Sequence, residues 1–138
     1  MASAGYSGTP LAKKLGIGPG SVVHSIGAPA HYRSLLEPLP EGVTFAARRS
    51  GRVDLIHLFV TSRARLARNL PAIRNTMRPD AAVWVSWPKR ASGVATDVTE
   101  TVVRELALPL GLVDVKVCAV DEVWSGLRLV VRKALRAR

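Results

Sequence analysis

Two stretches of the chain are almost continuously apolar and set the pattern for the rest. Val53–Val60 (VDLIHLFV) and Ala81–Trp87 (AAVWVSW) have the composition of strands that are buried on both faces of a sheet. Shorter runs rich in β-branched residues, bounded by glycine, proline or charged residues, predict four more strands. These cover residues 21–29, 43–49, 113–121 and 127–133.

The segments between these strands carry a helical pattern. In residues 61–80, Leu66, Leu70 and Ile73 recur at spacings of three and four, which predicts an amphipathic helix with arginines on its other face. Pro71 lies inside this segment and is expected to kink or divide the helix. Further helices are predicted over residues 10–16, 31–40 and 99–112, the last capped by Thr96 or Asp97 at its start and by Gly111 at its end.

Strands that alternate with helices predict a mostly parallel sheet with helices on both faces. The last two strands are joined by too few residues for a parallel crossover, so they must run antiparallel. We therefore predict a three-layer, Rossmann-like α/β fold of about six strands in the order 2-1-3-4-6-5. This arrangement resembles a shortened class I methyltransferase architecture. The 138 residues are expected to form one domain, with flexible ends at residues 1–6 and 134–138.

Composition narrows the class of protein further. A hydrophobic content of 48% excludes a disordered chain, and twenty basic against ten acidic residues give a net charge of +10, which attracts anionic partners. The single cysteine, Cys118, cannot form an internal disulfide and lies in an apolar strand pattern. No signal-peptide pattern and no apolar run of about 20 residues is present, so we expect a cytoplasmic protein without a membrane partner.

Four phrases of the sequence carry a family resemblance. They are GYSGTPLAKKLGI near the start, LFVTSR at the third strand, WPKRASG followed by TD in the middle, and GLVDVKVCAVDEVWSGLR near the end. Together they resemble a bacterial family known as domain of unknown function 3052. The resemblance implies a Rossmann-like domain of the bacterial cytoplasm and no established activity.

The methyltransferase-like topology raises the question of S-adenosylmethionine binding. Such a cofactor needs a glycine-rich turn after the first strand and an acidic residue at the end of the second strand to hold the ribose hydroxyls. The first turn has a single glycine, Gly27, and the second strand ends in Arg48 and Arg49. These arginines suit a phosphate better than a diol, so no cofactor is predicted.

The main functional prediction is a non-catalytic domain that binds an anionic small molecule or a protein partner. The loops after strands one, three and four, and the loop between strands five and six, should meet at the carboxyl edge of the sheet. Lysine, arginine and backbone donors there suit a phosphate or carboxylate, and two tryptophans offer stacking faces. The candidate ligand-binding residues are Lys89, Arg90, Ser92, Gly93, Asp97, Trp87, His31, Asp121 and Trp124. The competing interpretation is that both tryptophans pack the edge and Lys89 pairs with Asp97 or Asp121.

An enzyme that uses the same edge is the first alternative. Among the histidines, His24 and His57 lie within strand patterns and are interpreted as core residues, whereas His31 lies in the first loop. His31, Asp121 and Lys89 are the residues that such an enzyme would use. No spacing resembles a metal site.

Nonspecific nucleic-acid binding is the second alternative. A cluster of arginines in residues 63–78 and a basic C-terminal tail could neutralise several phosphates. The helical members are Arg63, Arg65, Arg68, Arg74 and Arg78. No aromatic residues are interleaved with them, as stacking on single strands requires, so a solvated helix face is the favoured interpretation.

Overall fold

The computed structural model describes residues 8–136, in which six strands form a single sheet. The sheet order is β2-β1-β3-β4-β6-β5, and β6 runs antiparallel to both of its neighbours while β1 to β4 are parallel. The predicted strand order and closing hairpin are therefore confirmed. The strands are β1 (Val22–Ile26), β2 (Thr44–Phe45), β3 (Leu55–Phe59), β4 (Ala82–Pro88), β5 (Leu112–Ala119) and β6 (Trp124–Val131). The predicted flexible segment 1–6 lies outside the described residues.

Helices cover both faces of the sheet and divide the core in two. On one face, Leu66 and Leu70 of α3 and Val103 of α4 pack against the sheet and are fully buried. On the other face, Leu15 of α1 and Tyr32 of α2 pack against the opposite sides of the same strands. The three-layer α/β fold is confirmed. The helices are α1 (Leu11–Leu15), α2 (Tyr32–Leu35), α3 (Arg63–Thr76), α4 (Glu100–Ala107) and α5 (Lys133–Arg136).

Pro71 was expected to kink or divide the third helix, and it does not divide it, because α3 continues through it from Arg63 to Thr76. Leu66 and Leu70 before the proline and Ile73 after it are all fully buried, so the packing on both sides offsets the one backbone hydrogen bond that proline removes.

The last described residues form a short helix. Flexibility was predicted for residues 134–138; residues up to 136 belong to α5 (Lys133–Arg136), and residues 137 and 138 lie outside the described part of the chain. Leu135 of this helix packs against the α3–α4 core, and a Cβ atom added to Gly111 would lie 2.6 Å from its Cδ1 atom. This contact ties the described part of the C-terminal segment to the end of the α4 region.

The connection between β2 and β3 is short. These strands lie on opposite sides of β1, and only residues 46–54 link them, without a helix. A parallel crossover ordinarily takes a dozen or more residues and contains a helix. Ala46 and Val53 at its two ends pack into the α3–α4 core, so the crossover passes over β1 on that face. Across residues 8–136, no helix combines the length and apolar character that crossing a membrane requires.

Candidate functional site

The loops that were predicted to meet at the carboxyl edge do lie together there. The backbone N–H of Lys89, after β4, donates to the carbonyl of Val123 between β5 and β6, at 2.7 Å. Nε2 of His31, in the loop after β1, lies 3.2 Å from Oδ2 of Asp121. The first loop thus reaches across the ends of β3 and β4 to the hairpin loop.

Asp121 is the fixed member of this pair. Its Oδ1 accepts hydrogen bonds from the backbone N–H groups of Val123 and Trp124, both at 2.8 Å, and its side chain is 12% exposed. The side chain of His31 is 55% exposed. Because an ionised carboxylate only accepts hydrogen bonds, Nε2 of His31 is the donor, and Nδ1 is left as the proton acceptor of the neutral ring.

A buried chain of hydrogen bonds lies beneath this edge. The Tyr32 hydroxyl and Nδ1 of His57 are 2.8 Å apart, and Nε2 of His57 is 2.8 Å from the Ser86 hydroxyl. His57 is fully buried, and burial lowers its pKa to about 3, while burial raises the pKa of Tyr32. A neutral imidazole has one donor and one acceptor, so both ring nitrogens are used in the chain. It anchors Tyr32, the residue next to His31, to β3 and β4.

The two candidate tryptophans lie on opposite faces of the sheet. Trp87 belongs to the core under α3 and α4 and is 8% exposed. Trp124 packs on the α1–α2 face, edge to face with Phe59 at 5.1 Å between ring centroids. In the register of β4 against β6, Trp124 lies opposite Pro88, so Trp87, the preceding residue, faces the other side of the sheet and the two rings do not face one common site.

Trp87 instead forms part of a cavity on the α3–α4 side. This cavity has a volume of about 360 Å³ and lies between the end of β4 and the start of α4. Its lining residues are Trp87, Pro88, Arg90, Gly93, Val94, Ala95, Thr96, Val98 and Thr99. Arg90 is its one charged lining residue, so the cavity combines an apolar wall with a single cation.

The prediction that Thr96 or Asp97 caps the next helix is wrong. Thr99 caps α4, because its hydroxyl accepts from the backbone N–H of Val102. Oδ1 of Asp97 accepts from the backbone N–H of Arg63 at 2.6 Å, at the start of α3, where a negative charge is favoured. Thr96 donates to the carbonyl of Thr61 at 2.6 Å. The loop after β4 is therefore joined to the loop after β3.

The proposed anion donors of the β4 loop are partly committed to the loop itself. The Ser92 hydroxyl donates to the Lys89 carbonyl at 2.7 Å and accepts from the Val94 N–H at 3.2 Å. Gly93 has a positive φ of 76° and ends a turn of 3₁₀ helix, so it shapes the loop. Neither Lys89 nor Arg90 forms an ion pair with another residue of 8–136, and Lys89 pairs with neither Asp97 nor Asp121.

The candidate arginines of the α3 region do not form one free surface. Arg74 donates from Nε to the carbonyl of Leu110 at 2.9 Å. Arg78 lies beyond the helix end and pairs with Asp54 and Asp80. Arg63 contacts Glu105 at 3.4 Å, and its side chain is half-exposed. Arg65 and Arg68 are exposed. Of the arginines on which the nucleic-acid alternative depends, Arg63, Arg65 and Arg68 in the first half of the helix are the ones that remain largely exposed.

Solved structures with a similar fold include SAM-dependent methyltransferases. A SAM-dependent methyltransferase from Aquifex aeolicus has a TM-score of 0.64 and 14% identity, with 88% of this chain and 87% of that chain covered. A "possible exported protein" from Bordetella parapertussis has a TM-score of 0.59 and 12% identity, with 88% and 64% covered. LepI in complex with SAM has a TM-score of 0.52 and 14% identity, with 88% and 39% covered.

These likenesses establish the class of fold. The chain has a methyltransferase-like Rossmann fold and spans less than two thirds of the Bordetella and LepI chains. Neither a protein-family model nor a curated protein sequence matches it.

The residues present do not fit S-adenosylmethionine. Gly27, the glycine of the first turn, has a φ of 71°, and a Cβ atom there would lie 2.8 Å from the Phe59 carbonyl oxygen. The space that this glycine leaves is thus filled by the neighbouring strand instead of being open to a cofactor. Residues 46–49, which follow β2, include no acidic residue that could accept hydrogen bonds from the ribose hydroxyls of this cofactor.

Proposed function

We propose that this protein is an enzyme that performs proton transfer on a small acidic molecule at the carboxyl edge of its sheet. The observation that carries the proposal is the 3.2 Å contact between His31 and Asp121. An exposed histidine that a less exposed carboxylate holds in one tautomer is the arrangement that general acid–base catalysis uses.

His31 is the proposed catalytic residue. With its Nε2–H directed to Asp121, its Nδ1 can take a proton from a bound molecule and later return it. Asp121 is a positioning residue, because its second oxygen is held by two backbone amides and cannot follow the ring if the ring rotates. The charge of Asp121 also stabilises the imidazolium that forms.

The proposed substrate class is anionic. Lys89 follows β4, its backbone bonds to Val123 in the same loop as Asp121, and its side chain has no ion-pair partner among residues 8–136. A lysine so placed can hold a carboxylate or phosphate near His31. The net charge of +10 draws such molecules to the surface.

The test combines binding and conversion. The wild-type protein is incubated in deuterium oxide with a panel of acidic metabolites, S-adenosylmethionine included. Thermal unfolding reports binding, and mass spectrometry reports conversion as the uptake of deuterium at carbon. We expect one compound to be converted. His31→Gln should abolish conversion while it leaves the thermal shift in place, and Lys89→Ala should reduce both.

Asp121→Asn and Glu122→Gln are a matched pair of carboxylate-to-amide changes at neighbouring positions. Asp121→Asn should lower kcat more than it changes KM, because it loosens the ring without removing the binding residues. Glu122 is exposed, and Glu122→Gln should change neither. Conversion that persists in His31→Gln would overturn the proposal.

A non-catalytic binding domain is the second candidate. It is favoured by the cavity beside Trp87, which has an apolar wall and one cation, Arg90, but no catalytic pair among its lining residues. It predicts a compound that stabilises the protein without conversion, with binding that depends on Arg90 and survives in His31→Gln.

Membership of the family known as domain of unknown function 3052 and a cytoplasmic location are part of the same proposal. The four sequence phrases support the first. The lone Cys118, which has no disulfide partner, supports the second.

A further inference from the structure

A second groove lies away from the carboxyl edge, on the α3 side of β1. It has a volume of about 380 Å³ and is lined by His24, Arg48, Arg49 and Thr76. The groove exists because the crossover 46–54 contains no helix, so two arginines of this segment lie where a helix would otherwise cover His24 of β1.

The charge of this groove is uncompensated. None of its lining residues is acidic, and the ion pairs among residues 8–136 include neither Arg48 nor Arg49. Nε of Arg49 is buried and has no hydrogen-bond partner within the described part of the chain. A buried donor without an acceptor costs free energy, and a bound acceptor would remove that cost.

A comparison with a second groove shows why the charge matters. Arg128 also has a buried Nε without a partner in residues 8–136, and it lines a groove of about 340 Å³ at the amino edge of the sheet. That groove contains Asp54 and Asp80 as well as Arg78, so its charges balance. The groove at Arg49 is lined by two arginines and by no acidic residue.

We propose that the groove formed by His24, Arg48, Arg49 and Thr76 binds the phosphate group of a small phosphorylated molecule. Guanidinium groups match phosphate oxygens with paired, charge-assisted hydrogen bonds.

The experiment uses inorganic phosphate, ribose 5-phosphate and ribose as probes, with the whole protein in a chloride buffer. Calorimetry gives the affinities, and thermal unfolding confirms that the folded state binds. We expect both phosphates to bind and ribose not to. Tighter binding of ribose 5-phosphate identifies a phosphate ester as the ligand, and equal binding identifies free phosphate.

Arg49→Gln and Arg52→Gln form the matched pair, since each removes one positive charge from the same segment. Arg49→Gln should weaken phosphate binding by about tenfold or more, the effect of losing a hydrogen bond to a charged group. Arg52 is exposed and does not line the groove, so Arg52→Gln should change the affinity by less than about twofold. Equal losses in the two variants would overturn the proposal.

The melting temperature of Arg49→Gln in phosphate-free buffer shows whether Arg49 serves binding or supports the fold. If Arg49 serves binding, Arg49→Gln should keep or raise the melting temperature in phosphate-free buffer, because it removes a buried, unpartnered donor. A lower melting temperature together with unchanged phosphate affinity would show that Arg49 only supports the crossover. Binding of duplex DNA that both variants weaken alike, without binding of either phosphate, would also overturn the proposal.

Discussion

His31 and Asp121 are ninety residues apart in the chain, and Nε2 of the first lies 3.2 Å from Oδ2 of the second. The contact joins the loop after β1 to the hairpin between β5 and β6, across the ends of two intervening strands. Asp121 therefore has two tasks, since it orients the histidine and also holds the hairpin turn through the amides of Val123 and Trp124.

Because Asp121 holds the hairpin turn, we predict that Asp121→Ala lowers the stability of the protein. Two backbone N–H groups lose their acceptor in this variant, so we expect the free energy of unfolding to fall by about 1–3 kcal/mol. Urea denaturation measures the change. Glu122→Ala, a change at the next position, where the side chain is exposed, should stay within about 0.5 kcal/mol of wild type. Equal losses in the two variants would contradict the role of Asp121.

The buried His57 predicts that stability falls in mild acid. Its pKa of about 3 in the folded state lies below the value of 6.5 in the unfolded chain, so the unfolded state binds the proton first as the pH falls. The contribution is complete above pH 6.5 and declines from there towards pH 3. Between pH 6.5 and 5 we expect a loss of about 2 kcal/mol from this group.

The measurement for His57 compares slopes, because replacing a buried residue also changes the absolute stability. Urea denaturation of wild type and His57→Gln at several pH values from 7 to 5 isolates the histidine, since few carboxylates titrate in that range. The free energy of unfolding of His57→Gln should vary less with pH than that of wild type. Parallel curves would show that His57 is not the titrating group.

We predict that one added methyl group at Gly27 strongly lowers the stability of the protein. It has a φ of 71°, and the Cβ atom of Gly27→Ala would lie 2.8 Å from the Phe59 carbonyl oxygen. Gly20 has a φ of 76° but nothing within 4 Å of an added Cβ, so Gly20→Ala carries the conformational cost alone, about 1–2 kcal/mol. Gly27→Ala should be less stable than Gly20→Ala in thermal and urea unfolding. Equal stability of the two would show that β3 yields at Phe59 without cost.

We predict that Arg78, one member of the basic cluster, stabilises the fold. It pairs with Asp54 and Asp80 and donates to the carbonyls of Gly51 and Val53. The pKa of Asp54 is lowered, because hydrogen bonds from Arg78 and from the Val22 backbone outweigh the burial that alone would raise it. The Arg78 side chain is partly exposed, so solvent weakens its ion pairs. We therefore expect Arg78→Gln to lower the free energy of unfolding by only about 1 kcal/mol.

Arg68→Gln is the control for Arg78, because Arg68 is exposed on α3 and the substitution removes the same charge. It should leave stability within about 0.5 kcal/mol of wild type. If Arg68→Gln costs as much as Arg78→Gln in urea unfolding, the effect comes from net charge and not from the pairs with Asp54 and Asp80.

The fold could be predicted from the sequence because its cause is largely local. Apolar runs such as Val53–Val60 give the strands, and the short β5–β6 link allows only an antiparallel hairpin, as the structure confirms. The sequence could not show which helix Asp97 contacts. Thr96 and Asp97 precede α4 in sequence, but Asp97 bonds to Arg63, thirty-four residues earlier, and only the tertiary structure sets that distance.

The candidate site, too, could be predicted from the sequence only in part. The sequence places His31 and Asp121 at one edge, but their contact depends on how far the first loop reaches. The hydrogen bonds that join Tyr32, His57 and Ser86 were not predicted, although the sequence contains an indication of them. His57 and Ser86 are buried polar residues inside two predominantly apolar runs, and buried polar groups require partners.

That buried chain also has a consequence for how the strands align. In the register of β3 against β4, His57 lies opposite Trp84 and Phe59 opposite Ser86. Both strands are apolar on both faces, so the apolar side chains alone would tolerate a shifted pairing. A shift would separate His57 from Ser86 and leave polar atoms of both strands without partners inside the protein. These few hydrogen bonds thus select one alignment of the two central strands from several that hydrophobic burial alone would accept.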